Sequence, residues 1–129
     1  MAVLIDTDVL IDTGRAGSSI EDLAGDEDRA ISVITVSELL HGVHRAHGAT
    51  RHRRLAFAEH LLASLSVVPI STPVARLHAE IHAELSAAGR QVGAHDLWIA
   101  ATALTHGFGV VTRNSRDFTN IPGLRILAA

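Results

Sequence analysis

Four acidic residues stand where a carboxylate could do chemistry: Asp6, Glu38, Asp96 and Asp117. Asp6 directly follows the apolar run Val3-Leu4-Ile5, and Asp96 abuts Leu97-Trp98-Ile99. A carboxylate beside buried apolar chain is costly unless paired or metal-bound. Two carboxylates about 4 Å apart repel by about 4 kcal/mol at an effective dielectric of about 20. A cluster of three or four therefore needs a cation or a proton. The chain has no cysteine, and an all-oxygen site favours Mg²⁺ or Mn²⁺. Such an ion polarises a phosphate and activates a bound water. Each acid also has a plainer reading. Asp6 and Asp8 suit a turn or an N-cap, and Glu38 could close a capping box with Thr35. Asp96 suits an N-cap or first helical turn, and Asp117 suits a loop.

The elements that must position these acids follow from apolar spacing. Val3–Ile5 predicts a buried strand followed by a turn at Asp6-Thr7-Asp8, and Ala30–Val33 a second strand. Gly14 to Arg29 is polar, with Ile20, Leu23 and Ala24 at the spacing of a short helix. A helix opens at Thr35, and another spans Arg51 to Leu65. Val67–Ile70 is a third strand, whose Pro69 predicts a sheet edge. Thr72-Pro73 starts a helix with the stripe Val74, Leu77, Ile81, Leu85 and Ala88, stopped by Gly89. Asp96 to His106 is a further helix, and Gly109–Thr112 and Leu124–Leu127 are the last strands. Alternating strands and helices imply one α/β domain with a mostly parallel sheet of four to five strands, helices on both faces. Sites in such sheets form at the carboxyl ends of strands, where strand order reverses. Asp6 ends the first strand, Glu38 follows the second, Asp117 follows the Gly109–Thr112 strand, and Asp96 opens a helix.

Composition removes whole classes of chemistry. All 11 basic residues are arginine, so no lysine mechanism is open. Without cysteine there is no disulfide, thiolate zinc site, iron–sulfur cluster or cysteine nucleophile. The 129 residues suit one domain, and no signal peptide or membrane span is read, which predicts a cytoplasmic protein. The net charge of −3 argues against nucleic acid only as an average. Residues 1–40 carry nine acids against two arginines, net −7; residues 41–129 carry five acids against nine arginines, net +4. His41 to Arg54 holds Arg45, Arg51, Arg53, Arg54 and four histidines with no acid. It reads either as a solvated helix face or as a rim that tracks phosphates.

The ordered set Leu4-Ile5-Asp6-Thr7-Asp8-Val9-Leu10, Thr35-Val36-Ser37-Glu38-Leu39, His95-Asp96-Leu97-Trp98-Ile99-Ala100-Ala101-Thr102-Ala103 and Val111-Thr112-Arg113-Asn114-Ser115-Arg116-Asp117-Phe118 resembles the PIN-domain ribonucleases. Within them it resembles the VapC toxins of bacterial toxin–antitoxin pairs. The resemblance runs from Ala2 to Leu127 and implies a three-layer PIN-like fold. It implies a Mg²⁺-dependent endoribonuclease acting on single-stranded RNA or tRNA loops by metal-activated water, with Mn²⁺ able to substitute. Products would keep a 5′-phosphate and a 3′-hydroxyl. By the same resemblance, Asp6 and Asp96 hold the metal and Glu38 is the third acid, orienting or deprotonating the water. The family often carries an acid where this chain has Asn114; Asn114 could offer a neutral oxygen, and Asp117 could supply the charge or anchor the loop. Thr7 and Thr112 either orient a carboxylate or water or simply finish a strand. Candidate RNA contacts are Arg51, Arg53, His95 and Arg113. The implied partners are RNA, a VapB-type antitoxin, and a second copy of the chain in a homodimer or toxin–antitoxin hetero-oligomer.

Other features compete. Asp6-Thr7-Asp8 imitates the nucleophile motif of haloacid-dehalogenase-type phosphatases, but Leu10 stands where that motif wants Thr or Val. A non-catalytic PIN-fold module would be expected to have lost some of the acids. His78, Glu80 and His82 lack the Glu-after-His order of a zinc protease and read as an exposed helix face. Trp98 reads as a packing residue.

Overall fold

The apolar run of the first strand alternates between two cores. Val3 and Ile5 face one side of a sheet and Leu4 the other, and all three are fully buried. The computed structural model describes residues 2–129. Its elements are β1 (Ala2–Ile5), α1 (Thr7–Ala16), β2 (Asp28–Ser32), α2 (Val33–Arg45) and α3 (Gly48–Ser64). After these come β3 (Ser66–Val68), α4 (Thr72–Ala87), α5 (Ala94–His106), β4 (Gly109–Thr112) and β5 (Ile126–Ala128).

The five strands form one sheet in the order β3-β2-β1-β4-β5, and every pairing is parallel. On one face α1, α2 and α3 bury Val9, Leu10, Leu39, Val43, Ala58 and Leu61 against Val3, Ile5, Ile31 and Val111. On the other, α4 and α5 bury Val74, Ile81, Leu85, Ile99 and Ala103 against Leu4, Ala30 and Val110. Three layers result, as the alternation of elements predicts. β3 lies at the sheet edge, where its neighbour Pro69 needs no ladder partner.

The chain runs outward from β1 to β2 and β3, then returns to place β4 on the other flank of β1. The reversal of strand order lies between β1 and β4, and Asp6 stands at the carboxyl end of β1 beside it. Its N–H continues the ladder by donating to the Val111 carbonyl at 2.9 Å.

Several boundaries differ from the sequence expectation. No turn follows β1: Asp6 caps α1, which begins at once and buries Thr7, Val9, Leu10 and Thr13. The helix expected in Gly14–Arg29 shrinks to one 3₁₀ turn, Ile20–Asp22, because Ala24 and Gly25 take left-handed backbone with φ of 64° and 59°. Val33 is helical, not strand. Ser32 is the N-cap of α2 and accepts from the Ile34 N–H at 3.1 Å, so the expected Thr35–Glu38 capping box does not form. Likewise Ser71, not Thr72, caps α4, and Gly93 caps α5, leaving Asp96 in its first turn.

Candidate active site

Asp6 is buried, and both of its carboxylate oxygens are held. Oδ1 accepts from the N–H of Thr7, the first residue of the helix that Asp6 caps, at 2.8 Å, and Oδ2 accepts from Thr112 Oγ1 at 3.0 Å. The Thr112 oxygen in turn accepts the Asn114 N–H at 3.0 Å. One hydroxyl at the end of β4 therefore aims the acid of β1 and pins the loop that follows.

Thr7 points its hydroxyl at a second acid. It donates to Glu38 Oε1 at 2.7 Å, and its oxygen lies 3.1 Å from Thr35 Oγ1. The other Glu38 oxygen sits 3.2 Å from His95 Nδ1. Thr35 and Glu38 occupy the first turns of α2, so its N-terminus meets that of α1 through hydroxyls. Asn114 donates Nδ2 to Asp117 Oδ2 at 2.7 Å, making these two residues one loop unit.

Asp96 makes no side-chain hydrogen bond among the described residues. Burial pushes its carboxyl up to about 6, reinforced by repulsion from Asp6, Asp117, Glu38 and Asp8. Burial likewise raises Asp6, against the Thr112 and Thr7 hydrogen bonds that favour its anion. A Cβ on Gly93 would stand 3.3 Å from Asp96 Oδ2, so the glycine leaves the carboxylate an open approach. No arginine neutralises this group. Among the described residues the arginine–carboxylate pairs are Arg113–Asp12 and Arg125–Glu27.

A divalent cation would meet these donors without a ready-made cage. Among the described residues no three His, Asp or Glu side chains converge tightly enough to cage one. The expectation of three carboxylates on one ion is therefore not met by a preformed cage: Glu38 has both oxygens engaged, and Asp117 is held by Asn114. Mg²⁺ does not need such a cage, since it usually keeps several waters and takes one or two carboxylates. Asp6 and Asp96 fit that requirement as the two carboxylates.

Comparison with known proteins identifies the family. The PIN domain family matches residues 3–124. Ribonuclease VapC1 of Rickettsia felis is 34% identical over 128 residues, covering 98% of this chain and 96% of that protein. The tRNA(fMet)-specific endonuclease VapC of Salmonella typhimurium is 40% identical over 96 residues, 74% of this chain and 71% of that one. The chain belongs to the PIN-domain family, in its VapC branch. A VapBC2 complex from Rickettsia felis, solved bound to a DNA fragment from its promoter, superposes with a TM-score of 0.89 at 25% identity, covering 100% of this chain and 99% of that one.

In this VapC-family chain, Asp96 of α5 lies within electrostatic reach of Asp6, Asp117 and Glu38 at the strand-order switch. The RNA candidates do not gather so simply. His95 is spent on Glu38, Arg113 pairs with Asp12, and Arg51 lies beside His44 at 3.5 Å. Arg53 lines a groove that Glu38 also lines. Sequence reading missed Gly93, whose only signal is a glycine three residues before Asp96. It also missed Phe57, whose ring occupies the space that a side chain at Gly14 would fill. Of the two histidines expected on an exposed face, only His82 is exposed; His78 is half-buried and stacks on Trp98 at 3.5 Å.

Proposed function

We propose that this chain is a Mg²⁺-dependent endoribonuclease, the toxin of a toxin–antitoxin pair, hydrolysing phosphodiester bonds in RNA, with tRNA loops as the substrate class. The observation that carries the reading is the carboxylate of Asp96 at the β1–β4 switch, repelled by Asp6, Asp117 and Glu38 in a chain with 11 arginines, none of which pairs with these acids among the described residues. Such a group is stable as an anion only with a cation among it. The names of the relatives, a ribonuclease and a tRNA endonuclease, support the substrate class.

Asp6 and Asp96 would hold the ion. Bound there, Mg²⁺ would supply Lewis-acid polarisation of the phosphate and a more acidic water. Glu38 is positioned as the base: Thr7 and His95 fix its two oxygens, so its carboxylate can orient a water and take its proton. Thr112 keeps the second oxygen of Asp6 aimed into the site. Asn114 and Asp117 hold the rim on the β4 side.

Similarity to solved VapBC complexes supports a VapB-type antitoxin as partner in a hetero-oligomer, and a second copy of the chain is proposed beside it. No helix among the described residues is long and apolar enough to cross a membrane, and the proposed location is the bacterial cytoplasm. The test is purified protein on total RNA with and without Mg²⁺, with the cleavage ends mapped. Asp6→Ala and Asp96→Ala are expected to abolish cleavage with the fold intact by circular dichroism. Full activity in excess EDTA would overturn the proposal.

A further inference from the structure

His78 and His82 stand four residues apart on α4, so their rings share one face of the helix. The ring centroids are 5.8 Å apart. A metal–imidazole bond of about 2.0–2.1 Å puts each centroid about 3.2 Å from the ion, so two rings on one ion lie roughly 5 to 6.4 Å apart. The pair already has a chelating separation. The His78 ring is fixed, stacked on Trp98 of α5 at 3.5 Å and 13°. His82 is exposed and can turn a nitrogen toward its neighbour's. Neither ring meets a carboxylate among the described residues. The residues one turn away, Val74, Ala75, Ala79, Ile81, Leu85 and Ser86, carry no charge that would repel a cation. Burial, and after it the neighbouring His82, lower the His78 pKa, which keeps its ring in the neutral form that ligates metals.

These nitrogens have no part in the carboxylate site. We infer that His78 and His82 form a binding site for a borderline divalent transition metal, Zn²⁺, Ni²⁺ or Cu²⁺, on the surface of α4 beside Trp98. Imidazole suits these ions, whereas carboxylate oxygens suit Mg²⁺. Two imidazoles leave the remaining coordination positions to water. The site is therefore open, in keeping with the lack of any tight group of three ligands among the described residues. The chain then sorts divalent ions by donor. Oxygens at the β1–β4 switch take the hard ion, and nitrogens on α4 take the softer one.

Trp98 is the chain's only tryptophan, and Cu²⁺ quenches indole emission at close range. Its emission therefore reports on this pair and not on the histidines of α2 and α3, which lie across the sheet. The experiment titrates the full chain with Cu²⁺ at neutral pH in a non-chelating buffer. Quenching is expected to saturate along a single-site curve, to be reversed by excess Zn²⁺ and to be untouched by excess Mg²⁺. His82→Gln removes one ligand and keeps the His78–Trp98 stack. His82 is exposed and glutamine is a good helix former, so this variant is expected to fold. Losing even an outer hydrogen-bond partner of a ligand costs about 10–100-fold in metal affinity, so half-quenching is expected to need at least about 10-fold more Cu²⁺. His60→Gln on α3 is the control and is expected to leave the titration unchanged. Half-quenching of His82→Gln at the concentration that half-quenches the unsubstituted chain overturns the assignment. So does an equal loss of affinity in Asp96→Asn, or reversal by excess Mg²⁺, either of which gives the quenching to the carboxylates.

Discussion

Replacing Asp96 with asparagine is expected to make the metal-free protein more stable. Asp96 sits in the first turn of α5, where a negative charge normally gains about 0.3–1 kcal/mol from the helix dipole. Burial and the repulsion of Asp6, Asp117, Glu38 and Asp8 outweigh that gain, since its carboxyl is raised from 3.8 to about 6. A raised folded-state pKa means that folding favours the protonated acid. The stability it contributes is complete below pH 3.8 and is lost as pH rises through about 6. About 2 pKa units correspond to at most about 3 kcal/mol, and partial exposure of the carboxylate reduces this to about 1–2 kcal/mol. Asparagine keeps the shape and has no charge to lose. In EDTA at about pH 8, thermal unfolding of Asp96→Asn is expected some 3–8 °C above the unsubstituted chain, at roughly 3–4 °C per kcal/mol for this size. The gap is expected to shrink to about half near pH 5 and to close toward 3.8. Added Mg²⁺ is expected to raise the midpoint of the unsubstituted chain and to act less on the variant. An equal or lower midpoint for Asp96→Asn at about pH 8 would refute the account of the site as a strained anionic cluster.

Three further outcomes follow from the same contacts. Thr112→Val leaves Asp6 Oδ2 and the Asn114 N–H without their partner; cleavage is expected to fall about 10–100-fold, with most of it restored in Thr112→Ser, and equal rates for Val and Ser would remove the positioning role. Trp98 is the chain's only tryptophan and stacks on His78, whose pKa is lowered from 6.5 by burial and by His82; its emission is expected to change with a midpoint below 6.5, and a His78→Gln variant that kept the same pH profile would refute the stack. Gly14→Ala offers a helix-propensity gain of about 1 kcal/mol, but its Cβ would stand 2.8 Å from the Phe57 ring; the gain is expected only in a Phe57→Ala background, and a simple additive cycle in denaturant unfolding would contradict that contact.

Much of the fold was legible because its signals are local. Apolar triplets such as Val3-Leu4-Ile5 and the stripe from Val74 to Leu85 report burial through spacing alone, and both match buried faces. Helix starts were less legible, because several hydroxyls compete to cap. Ser32 and Thr35 both precede the same apolar face, and which one caps depends on where β2 stops pairing with β1 and β3. The turn expected at Asp6-Thr7-Asp8 failed for a related reason. The same acid that ends a turn also caps a helix, and the burial of Val9 and Leu10 on α1 decided between them.

The sequence by itself determined the chemistry available to this protein. Without lysine or cysteine, and with acids following apolar strands, a site built on those acids offers carboxylate oxygens and no thiolate, with arginine or protonated histidine for any charged phosphate contact. The motif order across the chain also placed it among the PIN domains. Only the tertiary structure decided that Asp6 and Thr112, 106 residues apart, share a hydrogen bond. It likewise decided that Glu38 is held by Thr7 and His95 from two other helices, and that Phe57 packs against Gly14 in the groove that Arg53 lines. The physical reason is that spacing along a chain encodes which face of an element is buried. The parallel order of β2, β1 and β4 is set by packing the whole molecule, and that order brings the ends of distant strands together.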